Sequence, residues 1–262
     1  MKGDDALRRI AVLLEYDGTA YRGSQYQENG PSIQSELEAA IDKLTSETVR
    51  AAFAGRTDSG VHALGQVAAF ESSSRLEAWE LMSGLNHFLP RDIVVRAVRE
   101  VAAAFDPRRD ARNRRYRYRI DNRAARPALD RDRAWHVPAP LDVAAMQDVA
   151  AGLVGKHDFA GFGGAYDGTT ERTLARCEVS GEGEEVTVEM EARSFLPHQV
   201  RRTVGPLVDV GLGRIEKDIV EGWLQAAQPS TAGPAAPPHG LYLVEVQYDG
   251  LDFGPNETNE PG

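Results

Sequence analysis

The chain has 262 residues, of which 42% are hydrophobic and 27% are charged. This composition is typical of a soluble globular protein with one large domain or two modest ones. No segment approaches the roughly 18 consecutive apolar residues of a membrane span, and the N-terminus has no apolar run of signal-peptide length. The six histidines are scattered and do not predict a metal site. The single Cys177 cannot form an internal disulfide, which fits a reducing compartment such as the cytoplasm.

The formal net charge of −10 argues by itself against a polyanionic partner. Its distribution is more informative, because seven arginines and one acid, Asp110, lie between Arg108 and Arg119. Arginine suits RNA, since its planar fork bridges phosphates and stacks on bases. A basic face on an acidic body is therefore compatible with RNA binding, and a solvated charged strand is the alternative.

Periodicity in the first half predicts the order β-α-β-β-α-β, which is the ferredoxin-like unit. Ser32 is the expected N-cap of the first helix, and Ile33, Leu37, Ala40, Ile41 and Leu44 form its apolar stripe. The predicted elements are a strand at 8–16, a helix to about 44, strands near 49–54 and 65–71, a helix near 77–88 and a strand near 93–101.

The second half predicts the same order with additional helical sequence. Its elements are a strand at 113–120, a helix at 141–153, strands near 172–180 and 184–193, helices near 198–211 and 216–226, and a strand at 241–248. We therefore expect an α+β protein of two ferredoxin-like halves, with one extended, mainly antiparallel sheet, helices on one side and a central cleft. The expected halves are 1–105 and 106–249, followed by a disordered acidic tail at 250–262.

The segment with the clearest chemical signal is the loop Gly55-Arg56-Thr57-Asp58-Ser59-Gly60-Val61-His62 between two apolar strands. Glycines at both ends allow the backbone to approach a ligand closely. The loop presents one carboxylate, Asp58, beside one guanidinium, Arg56. An ordinary turn is the alternative interpretation, because Asp, Ser and Gly are common turn residues.

Four further sequence segments favour a functional site over an ordinary turn at the Asp58 loop. They are Tyr16-Asp17-Gly18-Thr19, Arg115-Tyr116-Arg117-Tyr118, Phe195-Leu196-Pro197-His198-Gln199-Val200-Arg201 and Gly240-Leu241-Tyr242-Leu243. Together with the Asp58 loop they resemble the TruA family of tRNA pseudouridine synthases, in the same order and with similar spacing from about Ile10 to Tyr248. The resemblance implies a cofactor-free and metal-free enzyme that works as a homodimer on tRNA, at uridines 38 to 40 of the anticodon arm.

The resemblance also implies roles for individual residues. Asp58 matches the catalytic aspartate, and Arg201 matches the arginine that pairs with that carboxylate. Tyr116 matches the tyrosine that stacks on the everted base and is a candidate for late proton abstraction. Arg56 matches the arginine that helps to extrude the nucleotide, and Leu241 matches an apolar wall of the uracil pocket.

Phosphate binding is expected from five arginines of the basic cluster, and that part of the affinity should weaken with salt. They are Arg108, Arg109, Arg112, Arg114 and Arg115. Strand alternation places Tyr116 and Tyr118 on one face and Arg115 and Arg117 on the other, so some arginines should pair with acids of the body. His198 is a candidate RNA contact or a structural residue, and His62 a candidate base or a structural residue.

The chain departs from the family pattern at Ser24, where many members carry an aromatic residue. This departure predicts different local packing or a different RNA contact. The reaction breaks the N1–C1′ bond of uridine and joins C5 to C1′, so no cofactor is required. The carboxylate could attack C1′, stabilise an oxocarbenium-like centre or act as a base at C2′, and the sequence leaves all three open.

Two other function classes are also considered. A non-catalytic RNA-binding protein of two RRM-like units would share the fold, and the Tyr116/Tyr118 pair resembles its paired aromatics, although no RNP1 motif is present. A glycosidase-like hydrolase would require two carboxylates in one cleft, and only Asp58 is well placed.

Overall fold

The computed structural model of this chain describes residues 7–226, 228–229 and 231–254. The fold is α+β, as predicted, with mainly antiparallel strands. The described residues divide into two compact units: 7–112 with 243–254, and those within 113–242. Along the chain the strands and helices follow the predicted order, with two short strands added in the second half.

The first unit is the ferredoxin-like β-α-β-β-α-β arrangement. Its elements are β1 (Arg8–Tyr16), α1 (Ile33–Thr45), β2 (Ala52–Phe53), β3 (His62–Ser72), α2 (Ala78–Phe88) and β4 (Ile93–Val101). β1 lies between β4 and β3 and is antiparallel to both, with Ile10 opposite Glu100 on one side and Phe70 on the other. β2 is shorter than predicted and pairs with β3 only at Ala69 and Ala68.

Local sequence explains where α1 begins and ends. Ser32 is its N-cap and forms a capping box with Ser35, as each side chain accepts from the other's backbone amide. Ile33, Leu37 and Ile41 are at most 1% exposed, and each such burial is worth about 1.5–3 kcal/mol. The helix ends at Ser46, whose φ of 59° is left-handed.

The second unit repeats the order with insertions. Its elements are β5 (Asn113–Asp121), β6 (Trp135–His136), α3 (Val143–Gly152), β7 (Gly155–Asp158), β8 (Glu171–Glu182), β9 (Glu185–Ala192), α4 (Gln199–Gly211) and α5 (Lys217–Ala226). β9 lies between β5 and β8, and β7 pairs with the outer edge of β8. The last strand, β10 (Leu241–Gln247), begins in this unit, and its part from Leu243 onward belongs to the first.

Two short strands are absent from the sequence prediction. β6 has two residues and β7 has four, too few for an alternating pattern to emerge. Tertiary pairing creates both, since β6 runs parallel to the end of β5 and β7 is antiparallel to β8. Most of the predicted tail at 250–262 lies outside the described residues. Of the part that is described, Asp252 and Gly254 accept hydrogen bonds from Arg99 through their carbonyls.

Glu47 joins the segment after α1 to the end of β3. Its carboxylate accepts hydrogen bonds from the Ser72 hydroxyl and from the hydroxyl and amide of Ser73. Burial raises the pKa of Glu47, but these hydrogen bonds outweigh burial and hold the pKa below its ordinary value. The ionised carboxylate therefore stabilises the fold above its unfolded-state pKa, and this stabilisation is lost as the pH falls through the folded-state pKa.

We expect Glu47→Gln to lower the free energy of unfolding by about 1 kcal/mol at pH 7, because charged hydrogen bonds are replaced by neutral ones. At a pH below the lowered folded-state pKa the wild-type carboxyl is itself protonated, so the difference should shrink there. Urea unfolding of both proteins at the two pH values measures the effect. An equal loss at both would show that packing, rather than charge, is responsible.

Within the described ranges, no helix has both the length and the apolar character needed to cross a bilayer.

Candidate active site

Asp58 lies in the loop between β2 and β3 of the first unit. Exposure alternates along this loop: Arg56 is exposed, Thr57 is 6% exposed and Asp58 is half-buried. Thr57 is therefore the buried residue of the three, whereas solvent reaches Arg56 and, in part, Asp58. The predicted carboxylate and guanidinium are both accessible at this loop.

Buried polar groups hold this loop from within. The Thr57 amide donates to Ser24 Oγ at 2.8 Å, and the Thr57 carbonyl accepts from the Ser24 amide at 3.1 Å. Tyr16 places its hydroxyl 2.8 Å from Thr57 Oγ1. Gln66 makes two hydrogen bonds to the Gly55 backbone, at 2.8 and 3.3 Å. Residues 55 and 57 are thus attached to the first unit on either side of Arg56.

Gly23 makes the close approach of two loops possible. Its φ is +91°, and a Cβ at this position would lie 2.6 Å from the Thr57 carbonyl oxygen. Ser24, the one departure from the family pattern, follows directly and is 1% exposed. The burial of Ser24 favours the expected difference in local packing over a different RNA contact.

His62 and Asp17 organise the neighbouring turn. Asp17 Oδ1 accepts from the Thr19 amide and hydroxyl and so shapes the turn after β1. His62 is 2% exposed, and its Nδ1 accepts from the Gly18 amide at 3.1 Å. Asp17 Oδ1 lies 3.2 Å from the same nitrogen, but a nitrogen that accepts from Gly18 carries no proton to donate. These contacts favour the structural alternative for His62.

Tyr116 lies on β5 of the second unit and is 7% exposed. Phe195 packs against it with ring centroids 5.2 Å apart and an interplanar angle of 88°. Such an edge-to-face contact fixes the orientation of the ring. Phe195 is half-buried and belongs to the surroundings of Tyr116.

Arg201 lies in the first turn of α4 and is half-buried. Its Nε donates to the Ala236 carbonyl at 2.7 Å, and its own carbonyl accepts from the Ala236 amide. Its charge favours ionisation of Tyr118, although the larger effect of burial raises the pKa of that hydroxyl. The Tyr118 hydroxyl donates to the Pro237 carbonyl at 2.7 Å. Arg201 and Tyr118 thus bind adjacent carbonyls of the segment that precedes β10.

Leu241 opens β10 and is 5% exposed. The preceding Gly240 lies against the Tyr118 ring, since a Cβ on Gly240 would come within 2.6 Å of two ring carbons. The block Gly240-Leu241 is therefore packed on the strand that carries Tyr116 and Tyr118. In the second unit the structure brings together three elements that the sequence singled out: β5, the start of α4 and the start of β10.

The arginines of β5 are divided between two faces, as predicted. Arg114, Tyr116 and Tyr118 are buried on one face, and Arg115 points to the other. On that second face Arg117 pairs with Glu189 and Arg119 pairs with Glu185, with nitrogen-to-oxygen distances of 2.7 and 3.0 Å. Arg114 donates to the Arg193 carbonyl. The expectation that some of the cluster pairs with acids of the body is confirmed.

The remaining predicted RNA contacts lie at the surface. Arg108, Arg109 and Arg112 are exposed in the segment between β4 and β5. Arg109 lies 3.4 Å from Asp110, and Arg112 pairs with Asp249, which raises the pKa of Arg112. His198 is the N-cap of α4, is exposed and has a left-handed φ of 62°.

The sequence prediction missed four residues at these sites. The Tyr16 hydroxyl contacts both Thr57 and Gln66 beneath the Asp58 loop, and the available signal for Tyr16 and Gln66 was a polar group within each of two apolar strand patterns. His239 precedes Gly240 and lies close enough to Arg201 to sense its charge. Burial lowers the pKa of His239 and Arg201 lowers it further, while Asp132 and the Ala134 backbone partly oppose them.

In the part of the chain that the structure describes, no three His, Cys, Asp or Glu side chains form a group that could hold a metal ion. Cys177 is buried on β8, and burial raises the pKa of its thiol to about 12. The thiol is therefore protonated at neutral pH, and Cys177 acts as a small apolar core residue.

Comparison with known proteins gives a consistent result. The family model described as tRNA pseudouridine synthase matches residues 12–108 and 149–249. A protein of Acidiphilium cryptum named tRNA pseudouridine synthase A is 48% identical over 93% of this chain and 97% of its own length. Proteins of the same name from Myxococcus xanthus and Rhodospirillum rubrum are 47% and 45% identical, over 92% and 94% of this chain and 92% and 90% of their own lengths. With matches of this extent, the chain belongs to the tRNA pseudouridine synthase family.

Proposed function

We propose that the chain isomerises uridine to pseudouridine at positions 38 to 40 of the tRNA anticodon arm, with Asp58 as its one catalytic carboxylate. The observation that carries this proposal is the Asp58 loop, which lies within the matched region 12–108. Asp58 and Arg56 are accessible at this loop, which is anchored by buried hydrogen bonds. A carboxylate held in this way is preorganised for reaction at a ribose.

The chemistry requires little beyond such a carboxylate. The N1–C1′ bond breaks, the uracil turns, C5 bonds to C1′, the C5 proton passes to solvent and N1 takes up a proton in its place. No atom of the nucleoside other than exchangeable hydrogen is gained or lost. Attack at C1′, stabilisation of an oxocarbenium-like centre and proton abstraction at C2′ are all compatible with one aspartate.

Arg201 is the proposed counter-charge of Asp58, a role that the family resemblance assigns to it. Arg201 lies in the first turn of α4, and its Nε is bound to the Ala236 carbonyl. Because this hydrogen bond already restricts the side chain, little conformational entropy would be lost when the guanidinium binds a carboxylate, which supports the proposal. Tyr116, held edge-to-face by Phe195, is the proposed stacking partner of the everted base and a candidate for the late proton abstraction. Leu241 would form an apolar wall of the uracil pocket.

RNA binding is proposed for the exposed arginines, for the half-buried Arg115 and for the Tyr116 ring. Everting a base costs a few kcal/mol, and stacking on Tyr116 would return about 1–3 kcal/mol. Arg56 would help to hold the nucleotide out of its stack, and phosphates would pair with Arg108, Arg109, Arg112 and Arg115. The partners of Arg109 and Arg112 are exposed acids, so RNA phosphate could replace them at little cost. Arg114 is buried and is therefore less suited to bind RNA than the other arginines. His198 is exposed at the start of α4 and is therefore accessible for an RNA contact.

We also propose that the enzyme is a homodimer and acts in the cytoplasm, where its tRNA substrate is found. Light scattering coupled to size-exclusion chromatography gives the molar mass in solution, and the value for two 28.6 kDa chains is expected. The mass of one chain would contradict the proposed dimer without affecting the proposed reaction.

The proposed reaction is tested with tRNA transcripts that carry tritium at C5 of uridine. Incubation should release tritium to water from transcripts with a uridine at position 38, 39 or 40, and matched transcripts with cytidine at all three should release none. Carbodiimide treatment and primer extension then locate the product. A protein that binds these transcripts and releases no tritium would be an RNA-binding module, and release from the cytidine transcripts would contradict the proposed positions.

A further inference from the structure

We propose that Thr57, held by Ser24 and Tyr16, is a positioning residue that fixes the Asp58 carboxylate for reaction. The inference rests on the proposed catalytic role of Asp58. It assigns a function to a buried hydrogen-bonded group, Tyr16, Ser24, Thr57 and Gln66, that we call the Thr57 clamp. All four side chains are at most 6% exposed.

Thr57 is held through its amide, its carbonyl and its side chain. Ser24 binds the first two, at 2.8 and 3.1 Å, and the Tyr16 hydroxyl lies 2.8 Å from the third. Three hydrogen bonds to one residue leave its backbone little freedom. Because Thr57 directly precedes Asp58, the position of the Asp58 Cα is set by these bonds.

The hydrogen-bonding capacity of Tyr16 is fully used within the clamp. Its oxygen can accept two hydrogen bonds and donate one. Gln66 Nε2 lies 3.4 Å away, the Ser24 side chain also bonds to this oxygen, and the remaining contact is to Thr57 Oγ1. Burial raises the pKa of Tyr16 to about 12, so the hydroxyl is neutral at physiological pH and retains its proton for donation.

The clamp connects the loop to the rigid part of the first unit. Tyr16 is the last residue of β1 and Gln66 lies within β3, and these strands are paired along their length. Gln66 also binds both backbone groups of Gly55. The sheet therefore holds the loop at residues 55 and 57, and the two accessible side chains, Arg56 and Asp58, take their positions from it. Displacement of a reacting group by about 1 Å can cost about 100-fold in rate, so such support has a measurable effect.

The test compares substitutions of Thr57 that remove either its hydroxyl or its methyl group. Thr57→Val keeps the shape and removes the hydroxyl, whereas Thr57→Ser keeps the hydroxyl and removes a methyl group. Tyr16→Phe removes the same hydrogen bond from the other side. We expect Thr57→Val and Tyr16→Phe each to lower kcat about tenfold or more, with KM for tRNA and tRNA affinity within about twofold of wild type. Thr57→Ser should recover most of the lost kcat.

The double variant Tyr16→Phe/Thr57→Val gives a second readout. Both changes remove the hydrogen bond between Tyr16 and Thr57, and Tyr16→Phe also removes the contacts of that hydroxyl with Gln66 and Ser24, so the double variant should be little slower than Tyr16→Phe alone. The matched control is Thr45→Val, which removes a hydroxyl that donates to the Ile41 carbonyl in α1. Thr45→Val should lower thermal stability modestly and leave kcat unchanged.

A wild-type kcat in folded Thr57→Val or Tyr16→Phe would overturn the inference. So would parallel losses of kcat and tRNA affinity, which would indicate general disturbance of the fold. If Thr57→Val does not fold, Tyr16→Phe decides the question alone. Asp58→Asn distinguishes failure of the proposed catalysis from failure of the positioning role. An active Asp58→Asn enzyme contradicts the proposed catalytic role of Asp58. An inactive Asp58→Asn enzyme together with a fully active Thr57→Val enzyme contradicts only the positioning role of Thr57.

Discussion

Replacement of Asp58 by asparagine is expected to abolish tritium release from C5-labelled tRNA, with a fall in kcat of at least about a thousandfold. Asparagine preserves the size of the side chain and removes its charge, so the Thr57 clamp and the loop backbone should remain as they are. Loss of the group that acts on the ribose removes stabilisation that exists only in the transition state, and this lowers kcat rather than substrate affinity. Affinity for tRNA, measured by filter binding, should stay within about threefold of wild type.

Asp42 offers a matched control for this substitution. It lies in α1 of the same unit and is exposed. Asp42→Asn makes the same chemical change at the surface, and wild-type kcat is expected. If Asp58→Asn retained more than about a tenth of wild-type kcat, Asp58 could not be the catalytic carboxylate, and the loop would be better explained as an ordinary turn.

Arg201→Ala should lower kcat about 100-fold or more and change tRNA affinity by less than about threefold. The expectation follows from the proposed role, because a positive charge that stabilises an anionic reacting group acts mainly on the chemical step. A phosphate contact would behave differently, since its loss weakens binding and lowers the salt dependence of affinity. Single-turnover rates and binding isotherms at two salt concentrations distinguish the two roles. Equal losses in rate and affinity would identify Arg201 as a phosphate contact.

Arg202 is the natural control for Arg201. It follows directly in α4 and also donates to the segment before β10, through a hydrogen bond to the Gly233 carbonyl at 3.3 Å. Arg202→Ala therefore tests whether loosening that segment is enough to slow the enzyme, and little change in kcat is expected. Arg201→Lys completes the set, because it keeps the charge and loses the Nε bond to Ala236. A partial recovery of kcat in Arg201→Lys would show that the charge contributes.

The acidic net charge of this chain is compatible with an RNA substrate. Several arginines of the basic cluster neutralise acids of their own unit, as Arg117 does for Glu189 and Arg119 for Glu185. The exposed pairs that involve Arg109 and Arg112 are worth little in water and leave those arginines available to phosphate. A count of charges is therefore a poor guide here, and the face to which each arginine points is a better one.

Elements with local causes were predictable. The helix after Ser32 begins with a capping box and buries an apolar stripe at helical spacing, so residues close to one another in the sequence determine where this helix forms. The alternation of β5 separates Tyr116 from Arg115 because successive side chains of a strand point to opposite faces. The Asp58 loop was identifiable because its glycines, carboxylate and guanidinium lie within eight residues of one another.

The hydrogen-bonding and packing partners of these residues could not be predicted from the sequence. Tyr16 and Thr57 are 41 residues apart, Ser24 and Thr57 are 33 apart, and no periodicity or spacing indicates that they share hydrogen bonds. The edge-to-face contact of Phe195 with Tyr116 and the pairing of Arg112 with Asp249 likewise join distant segments. Sequence alone predicted the longer strands and helices and the side chains that could take part in the chemistry, because those follow from local patterning, whereas the short strands β6 and β7 depend on tertiary pairing. Only the tertiary structure decided what holds each of them in place, because a buried polar group takes its partner from whatever the fold brings beside it.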